Sequence, residues 1–292
     1  MDTYSIGSYT VGRVGFGVMQ LPGPGVFGPP RDHDQAIAVL RHAIELGINH
    51  IDTAQYYGPN VANDLIRQAL HPYPENLALV SKVGGARDEQ ANWVPAQQPD
   101  EFREQIEENL RTLGTDRLAA VNLRVFAGES PNAPAVVDRG LFERQLATMV
   151  KARDEGLIAG IGLSSISLEH LQIALDRTEI VCVQNAYNLV DRTSQPLLDT
   201  CLEHGIAFVP FFPLGSAFAP DNPVLGHPAV QREASKLGRT PAQIALAWTL
   251  SVAPNVLLIP GTSSVQHLEE NTAVADIELD DDTKRELDDA VD

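Results

Sequence analysis

A carboxylate and a phenol stand close together in residues 51–58, which read Ile-Asp-Thr-Ala-Gln-Tyr-Tyr-Gly. Asp52 ends an apolar run that starts at Ile48 and shares one face of it with His50, and Tyr57 follows in the next loop. A strand-end carboxylate with a tyrosine in the following loop is typical of the mouth of a barrel enzyme. The competing interpretation is that Asp52 caps a local turn and that Tyr57 is a half-buried loop aromatic.

Other side chains able to do chemistry stand where further apolar runs end. They are Lys82, Asn122, Arg124, Ser164 and Gln184, with the aromatic Phe211 in the same place on another run. The two-residue period of a strand points Asn122 and Arg124 to the same side. Each residue alone has a structural explanation, such as a solvated strand-end lysine for Lys82. An Asp, a Tyr, a Lys and an Arg that converge on one barrel mouth predict a catalytic site instead.

Eight apolar segments alternate with helical patterns and would supply the strands. They start at Val14, Ile48, Leu77, Ala119, Leu157, Ile180, Ile206 and Val256. Near-continuous apolar character is typical of parallel strands. The predicted fold is therefore α/β, a (β/α)8 TIM barrel, with a short N-terminal β-hairpin over residues 4–11 that turns at Gly7-Ser8.

A doubly wound sheet is the rival fold, and its dinucleotide-binding signature is incomplete in this chain. Gly15-Phe16-Gly17 lacks a third glycine at the required spacing, and no helical pattern follows it directly. No low-complexity linker divides the 292 residues, a length that suits one barrel of roughly 250 residues. We therefore expect residues 1–292 to form a single domain.

Capping residues mark several helix ends. Asp32 would cap a helix that runs to residue 46, and Thr240-Pro241-Ala242-Gln243 reads as a capping box with proline in the first turn. Further helices are predicted over residues 61–70, 100–113, 141–155 and 197–204. The acidic tail after Leu279 predicts a final surface helix.

The charge balance argues against two classes of partner. The chain has 21 Lys and Arg against 39 Asp and Glu, a net charge of −18, which opposes nucleic acid and anionic membranes as partners. There is neither a secretory pattern nor a run of about 18 apolar residues, so we expect a cytoplasmic protein. Cys182 and Cys201 show no zinc-ligand spacing, which predicts two buried reduced thiols and no metal. The sequence specifies no oligomeric state.

Residues 51–58, together with Lys82 at the end of the third strand, resemble the aldo-keto reductase family, which carries an Asp-Thr-Ala-x-x-Tyr-Gly motif and a lysine at these places. The resemblance spans the whole chain. Residues 19–32 and 121–124 resemble, more narrowly, the pyridoxal reductase branch of that family.

The resemblance implies a cofactor, a substrate and the residues that hold them. The cofactor would be NADPH/NADP+, and the substrate a small aldehyde, expected to be pyridoxal. The catalytic residues would be Tyr57 as proton donor, with Asp52, Lys82 and Arg124. The cofactor-binding residues would be Met19, Gln20, Asp52, Ser164, Ser165, Gln184, Phe211, Leu214, Gly215, Gly261, Thr262, Ser263, His267, Glu270 and Asn271. The substrate would contact Phe27, Tyr56, Trp93 and Arg124.

Four positions depart from the family pattern. Arg124 stands where the family usually has His, Ser165 where it has Asn, Phe211 where it has Tyr, and His267 where an Arg often binds the 2′-phosphate. A guanidinium cannot carry a proton at working pH, but it can bind an anionic oxygen, and pyridoxal has one beside its aldehyde.

The roles of Lys82 and Tyr57 can be stated chemically. Free tyrosine, with a pKa near 10, is a slow proton donor and acceptor at neutral pH. A neighbouring ammonium lowers that pKa, the role expected for Lys82, with Asp52 keeping Lys82 charged and in place.

Two other functions stay open at this point. One is a barrel that binds nicotinamide with negligible turnover, as a redox sensor or partner subunit. The other is a barrel lyase or aldolase that uses Lys82 as a Schiff-base amine.

Overall fold

Seven parallel strands form one curved sheet in the computed structural model, which describes residues 2–126, 137–215 and 222–289. The strands of the described chain, in order, are β1 Thr3–Ile6, β2 Tyr9–Gly12, β3 Phe16–Gly17, β4 His50–Asp52, β5 Ala78–Val83, β6 Gly85–Arg87, β7 Trp93–Pro95, β8 Ala120–Arg124, β9 Ile161–Ser164, β10 Cys182–Gln184 and β11 Ala207–Phe208. The order across the sheet is β11-β10-β9-β8-β5-β4-β3. The strands are therefore neighbours in chain order, as in a barrel.

An eighth segment around Leu257 closes the sheet into a ring, although it is not a regular strand. Single parallel bridges join Phe208 to Val256 and Val14 to Leu258. The Leu257 N–H donates to the Phe208 carbonyl at 2.9 Å, and the Gly15 N–H donates to the Leu258 carbonyl at 2.8 Å. The predicted (β/α)8 barrel is confirmed, with this seam as its weakest pairing.

Ten α-helices of the described chain surround the sheet. They are α1 His33–Glu45, α2 Val61–Leu70, α3 Pro99–Leu113, α4 Arg139–Asp154, α5 Leu168–Leu175, α6 Gln195–Glu203, α7 Pro228–Leu237, α8 Pro241–Ser251, α9 Val265–Thr272 and α10 Asp281–Asp288. The predicted caps are confirmed: Asp32 accepts from the Gln35 N–H at 2.9 Å, and Thr240 forms a capping box with Gln243. The acidic tail forms α10, and its last residues, 290–292, lie outside the described chain.

Two helices, α5 and α7, were not predicted. The capping box of α5 pairs Ser167 with His170 in place of the usual Glu or Gln, so the sequence signature is incomplete. The cap of α7 is His227, which is not among the preferred capping residues. Both helices therefore lack the start signal that identified α1 and α8.

The core has two layers. A large cluster lies between the strands and the helices, and a smaller one fills the barrel interior with small and β-branched residues such as Val80, Ala120 and Ala207. The N-terminal hairpin of β1 and β2, which was predicted, contributes Ile6 and Val11 to the interior cluster and so covers one end of the barrel.

The described residues also bear on two expectations from composition. Both cysteines are free and buried, as expected. None of the helices in residues 2–126, 137–215 and 222–289 is long and apolar enough to cross a bilayer. The cytoplasmic location stays a prediction.

Candidate active site

A cavity of about 490 Å³ opens at the carboxyl ends of the barrel strands. It brings together most of the side chains singled out from the sequence: Asp52, Tyr56, Tyr57, Lys82, Trp93, Arg124, Gln184 and Phe211. Backbone and side chains of Met19, Gln20, Leu214, Gly215 and Gly261 complete the predicted part of its lining. Residues 17, 126, 210, 212, 213, 259 and 260 also line it, although none of them was named individually as a site residue.

Asp52 and Lys82 form a buried ion pair at the base of this cavity. Each side chain is only 4% exposed, and Lys82 Nζ donates to Asp52 Oδ1 and, at 3.0 Å, to the Thr53 carbonyl. The second carboxylate oxygen, Oδ2, accepts from Gln184 Nε2 at 2.6 Å. A buried pair is tolerated when further hydrogen bonds satisfy both charges, as they do here. An ammonium held in this way is a poor nucleophile, which argues against the Schiff-base alternative.

The turn that carries Tyr57 rests on a buried network of amides and hydroxyls. Thr53 Oγ1 donates to Asn63 Oδ1 at 2.8 Å, and Asn63 Nδ2 donates to Asn109 Oδ1 at 3.0 Å. Asn109 Nδ2 in turn donates to Gln55 Oε1 at 3.0 Å. Thr53, Asn63 and Asn109 are fully buried. These residues were not predicted, although Asn63 and Asn109 lie on the buried faces of α2 and α3, where apolar side chains are expected.

Tyr57 is buried against other rings, with its ring centroid 5.2 Å from Lys82 Nζ. Burial, followed by the charge of Asp52, raises the pKa of Tyr57, while Arg124 lowers it. The lowering of the Tyr57 pKa that is expected from Lys82 stays a prediction, since burial is the larger effect in this pocket. Tyr57 therefore keeps its proton throughout the neutral range and can act as a proton donor.

Arg124 stands between two aromatic rings at the end of β8. Its guanidinium carbon is 5.3 Å from the ring centroid of Phe126 and 5.6 Å from that of Phe211. Burial raises the pKa of Tyr56, as it does that of Tyr57, and the positive charge of Arg124 opposes this rise at both phenols. Its positive charge is thus felt at both phenols. This arrangement suits an anionic oxygen held beside Tyr57.

The predicted substrate contacts divide into two groups. Tyr56 and Trp93 line the cavity with edge-to-face rings 5.7 Å apart. Trp93 lies on β7, which pairs with β6 in a hairpin that was not predicted. Phe27 lies outside the lining, with its ring centroid 5.8 Å from the guanidinium carbon of Arg87. A substrate contact of Phe27 stays a prediction.

Two buried groups beside the cavity have hydrogen-bonding capacity left over. Among the described residues, Ser164 Oγ and Gln184 Oε1 have no partner. Ser165 lies next to Ser164 and is buried. Its N–H donates to the Gln184 carbonyl at 2.9 Å, and its backbone φ is 55°. A carboxamide needs such donors and acceptors, so this part of the site fits the nicotinamide end of the expected cofactor.

Close backbone contact shapes the opposite side of the cavity. A Cβ at Gly17 would lie 2.5 Å from the Ile259 carbonyl oxygen, and one at Gly261 would lie 2.5 Å from the Gly17 carbonyl oxygen. Only glycine allows the two segments to approach each other this closely. Gly17 and Gly261 both line the cavity.

The segment beyond Gly261 leads into α9, where the phosphate-binding residues were predicted. Ser264 caps α9, and its Oγ accepts from the His267 N–H at 3.4 Å. Thr262, Ser263, His267, Glu270 and Asn271 lie on this segment, outside the cavity lining. Helix N-termini attract anions, so the segment is compatible with a phosphate. The roles of these residues stay predictions.

His50 lies two residues before Asp52 on β4 and is fully buried. Burial is the main reason that the pKa of His50 falls to about 4, with Asp52 raising the pKa and Lys82 lowering it. Among the described residues neither ring nitrogen has a hydrogen-bond partner. His50 is therefore neutral in the working range and adds no charge to the pair above it.

Comparison with known proteins identifies relatives along the whole chain. The model of the aldo/keto reductase family matches residues 13–292. Pyridoxine 4-dehydrogenase of Escherichia coli strain K12 is 47% identical over 287 residues, which are 98% of this chain and 97% of that protein. An uncharacterized oxidoreductase of Schizosaccharomyces pombe is 37% identical over 98% of this chain and 89% of its own length.

Solved structures agree with these relatives. An aldo/keto reductase of Klebsiella pneumoniae in complex with NADP and acetate is 27% identical, with a TM-score of 0.79, over 99% of this chain and 94% of that one. A thermostable aldo-keto reductase bound to the inhibitor epalrestat is 28% identical, with a TM-score of 0.81, over 99% and 100% of the two chains. The family model covers almost all of the sequence, and the fold and the cavity agree with it. The protein therefore belongs to the aldo/keto reductase family.

Proposed function

We propose that this protein is an NADP(H)-dependent aldehyde reductase, a single barrel domain that reduces pyridoxal to pyridoxine. The observation that carries the proposal is the buried Asp52–Lys82 pair beside Tyr57, in a cavity that Arg124 also lines. The name of the E. coli relative and the NADP in the K. pneumoniae relative support the choice of substrate and cofactor.

The protein's part in this reaction is to orient the aldehyde and to move one proton. A reduced nicotinamide supplies the hydride when it is bound. Ser164 and Gln184 would hold its carboxamide, and the Phe211 ring offers a stacking surface. Tyr57 Oη donates its proton to the carbonyl oxygen as negative charge develops there.

Lys82 and Asp52 act on Tyr57 after it has given up the proton. The ammonium, 5.2 Å from the ring centroid, stabilises the phenolate, and Asp52 keeps Lys82 protonated and in place. Trp93 and Tyr56 cover the site with aromatic surface and limit the access of water. Aromatic walls lower the local dielectric constant, which strengthens each of these charge interactions.

Steady-state oxidation of NADPH with pyridoxal and a panel of simple aldehydes tests the proposal. We expect turnover with several aldehydes and the highest kcat/KM with pyridoxal. Binding of NADPH with no turnover for any aldehyde would instead support a sensor or partner subunit. A borohydride-stable adduct on Lys82 would support the lyase.

Arg124 should select for pyridoxal through its phenolic oxygen. A charge-assisted hydrogen bond contributes roughly 1.5–3 kcal/mol, so Arg124→His should lower the preference for pyridoxal over benzaldehyde about ten- to a hundredfold. Benzaldehyde has no ring hydroxyl and should be reduced almost as before. The ratio of the two kcat/KM values measures the effect. An unchanged ratio would mean that Arg124 does not bind the phenolic oxygen.

NADPH should bind more tightly than NADH, on the hypothesis that the free N–H groups at the N-terminus of α9 receive the 2′-phosphate. His267 lies in the first turn of α9 and is exposed, so its imidazole can add a positive charge when protonated. We therefore expect His267→Ala to narrow the gap between the affinities for NADPH and NADH.

Fluorescence titration of both cofactors measures this difference. His204→Ala, which changes an exposed histidine at the end of α6, is the matched control and should leave the gap unchanged. Equal dissociation constants for NADPH and NADH in the unmodified protein would defeat the assignment.

A further inference from the structure

One side chain, Arg87, joins the two loops that border the cavity beside Trp93. Arg87 lies on the hairpin of β6 and β7, directly opposite Trp93 in the register. Its Nη1 donates to the Ala91 carbonyl at 2.8 Å, within the hairpin. Its Nη2 donates across to the loop of residues 22–30, to the Val26 carbonyl at 2.8 Å and to the Gly25 carbonyl. The fork of one guanidinium thus connects both loops.

The same guanidinium covers one face of Trp93. Its carbon lies 3.6 Å from the Trp93 ring centroid, which is a close cation–π contact. The Trp93 ring then meets Tyr56 and Tyr57 edge to face, with centroids 5.7 and 6.3 Å away. The position of Trp93 relative to both phenols therefore depends on Arg87.

The loop that Arg87 holds contains an unfavourable backbone conformation. Val26 has φ of 60°, a value that a β-branched residue rarely adopts. Its carbonyl accepts not only from Arg87 but also from the Gly58 N–H at 3.2 Å, next to Tyr57. Backbone strain of this kind persists where the surroundings hold it, and it is concentrated at functional sites. Arg87 and Gly58 are the donors that hold Val26.

We propose that Arg87 is a positioning residue that determines specificity: it fixes Trp93 as a rigid wall for ring-bearing aldehydes. This inference rests on the proposed function. An aldehyde with an aromatic ring needs the wall, because its ring packs against the Trp93 side chain. A small aldehyde such as propanal needs only Tyr57, whose turn is closed by its own backbone bond from the Tyr57 N–H to the Ala54 carbonyl at 3.0 Å.

The Arg87→Met variant keeps a long apolar stem but removes the fork and the charge. We expect kcat/KM for pyridoxal to fall at least tenfold, mostly through a higher KM. We expect kcat/KM for propanal to fall less than threefold. An equal loss for both substrates, or no loss for either, would overturn the proposal.

Arg87→Lys separates geometry from charge. A lysine keeps the positive charge but cannot form the planar fork that reaches both loops. The pyridoxal preference should therefore fall in this variant almost as far as in Arg87→Met. Full retention of the preference would overturn the proposal, because charge alone would then explain the effect of Arg87. Arg87→Lys also provides the test if Arg87→Met does not fold.

The matched control is Arg192, which stacks on the other tryptophan at 4.8 Å from the Trp248 ring centroid. Arg192 also donates to backbone carbonyls, those of Leu189 at 3.2 Å and Asp288 at 3.2 Å, outside the cavity. Arg192→Met should leave the substrate ratio unchanged, and a similar change of ratio there would overturn the proposal. Failure of the proposed function is distinguishable from failure of the Arg87 proposal, since the unmodified protein would then reduce neither pyridoxal nor propanal.

Discussion

The Tyr57→Phe variant should reduce pyridoxal at least about a hundredfold more slowly than the unmodified protein, which is the usual loss on removing a general acid. The buried phenol keeps its proton in the neutral range and lies beside the Asp52–Lys82 pair, so its removal takes away the proton donor that the pair is proposed to assist. Binding of NADPH should stay nearly intact, because the hydroxyl acts on the reacting oxygen. Single-turnover kinetics and a fluorescence titration measure the two effects separately.

Tyr73→Phe is the control for losing a partly buried phenol elsewhere. Tyr73 donates to the Leu113 carbonyl at 2.5 Å, and Tyr73 is not among the residues that line the cavity. Its loss should cost stability but leave turnover unchanged. If Tyr57→Phe retained most of the activity, another group would have to protonate the substrate, and the assignment of Tyr57 would fail.

The Lys82→Met variant should lower the free energy of unfolding by about 3–5 kcal/mol, the usual cost of breaking a buried ion pair. Lys82 donates to one oxygen of the Asp52 carboxylate, and Gln184 donates to the other. In the variant, Gln184 would be the only described partner of the carboxylate that remains. The change leaves a buried carboxylate without its counter-charge. Urea denaturation at neutral pH measures the loss.

The double variant Asp52→Asn with Lys82→Met separates charge burial from packing. Because it removes both charges, it should recover most of the stability that Lys82→Met loses, while activity stays low. A double variant no more stable than Lys82→Met would show that the lost packing of the lysine stem, rather than the unpaired carboxylate, causes the destabilisation.

Much of the site was predictable because its residues end apolar strands. The alternation of apolar runs and helices indicated a barrel, and a barrel brings strand ends to one mouth. This reasoning placed Asp52, Lys82, Arg124 and Gln184 together, and the cavity contains all four. The alternation of apolar runs and helices was sufficient for this prediction because each of the four residues lies on a strand whose register is fixed by its neighbours.

The loops above the strands could not be predicted in the same way. The hairpin of β6 and β7 is built from two three-residue strands inside a polar loop, too short for a periodic pattern. The position of Phe27 depends on the unusual φ of Val26, which the residue type argues against. The pKa of Tyr57 depends on burial by rings from separate segments, which spacing does not show.

The seam of the barrel has a consequence for which part of the sheet opens first. Parts of a protein differ in the free energy needed to open them, and regions with few backbone hydrogen bonds open first. Around Leu257 the ring is closed by single bridges, whereas β5, β8 and β9 form regular ladders. The seam segment connects α8 to α9, the helix expected to bind the cofactor phosphate. We therefore expect the backbone amides around Leu257 to exchange with solvent sooner than those of β5, β8 and β9, while Asp52 and Lys82 stay fixed in strands of the ladder side.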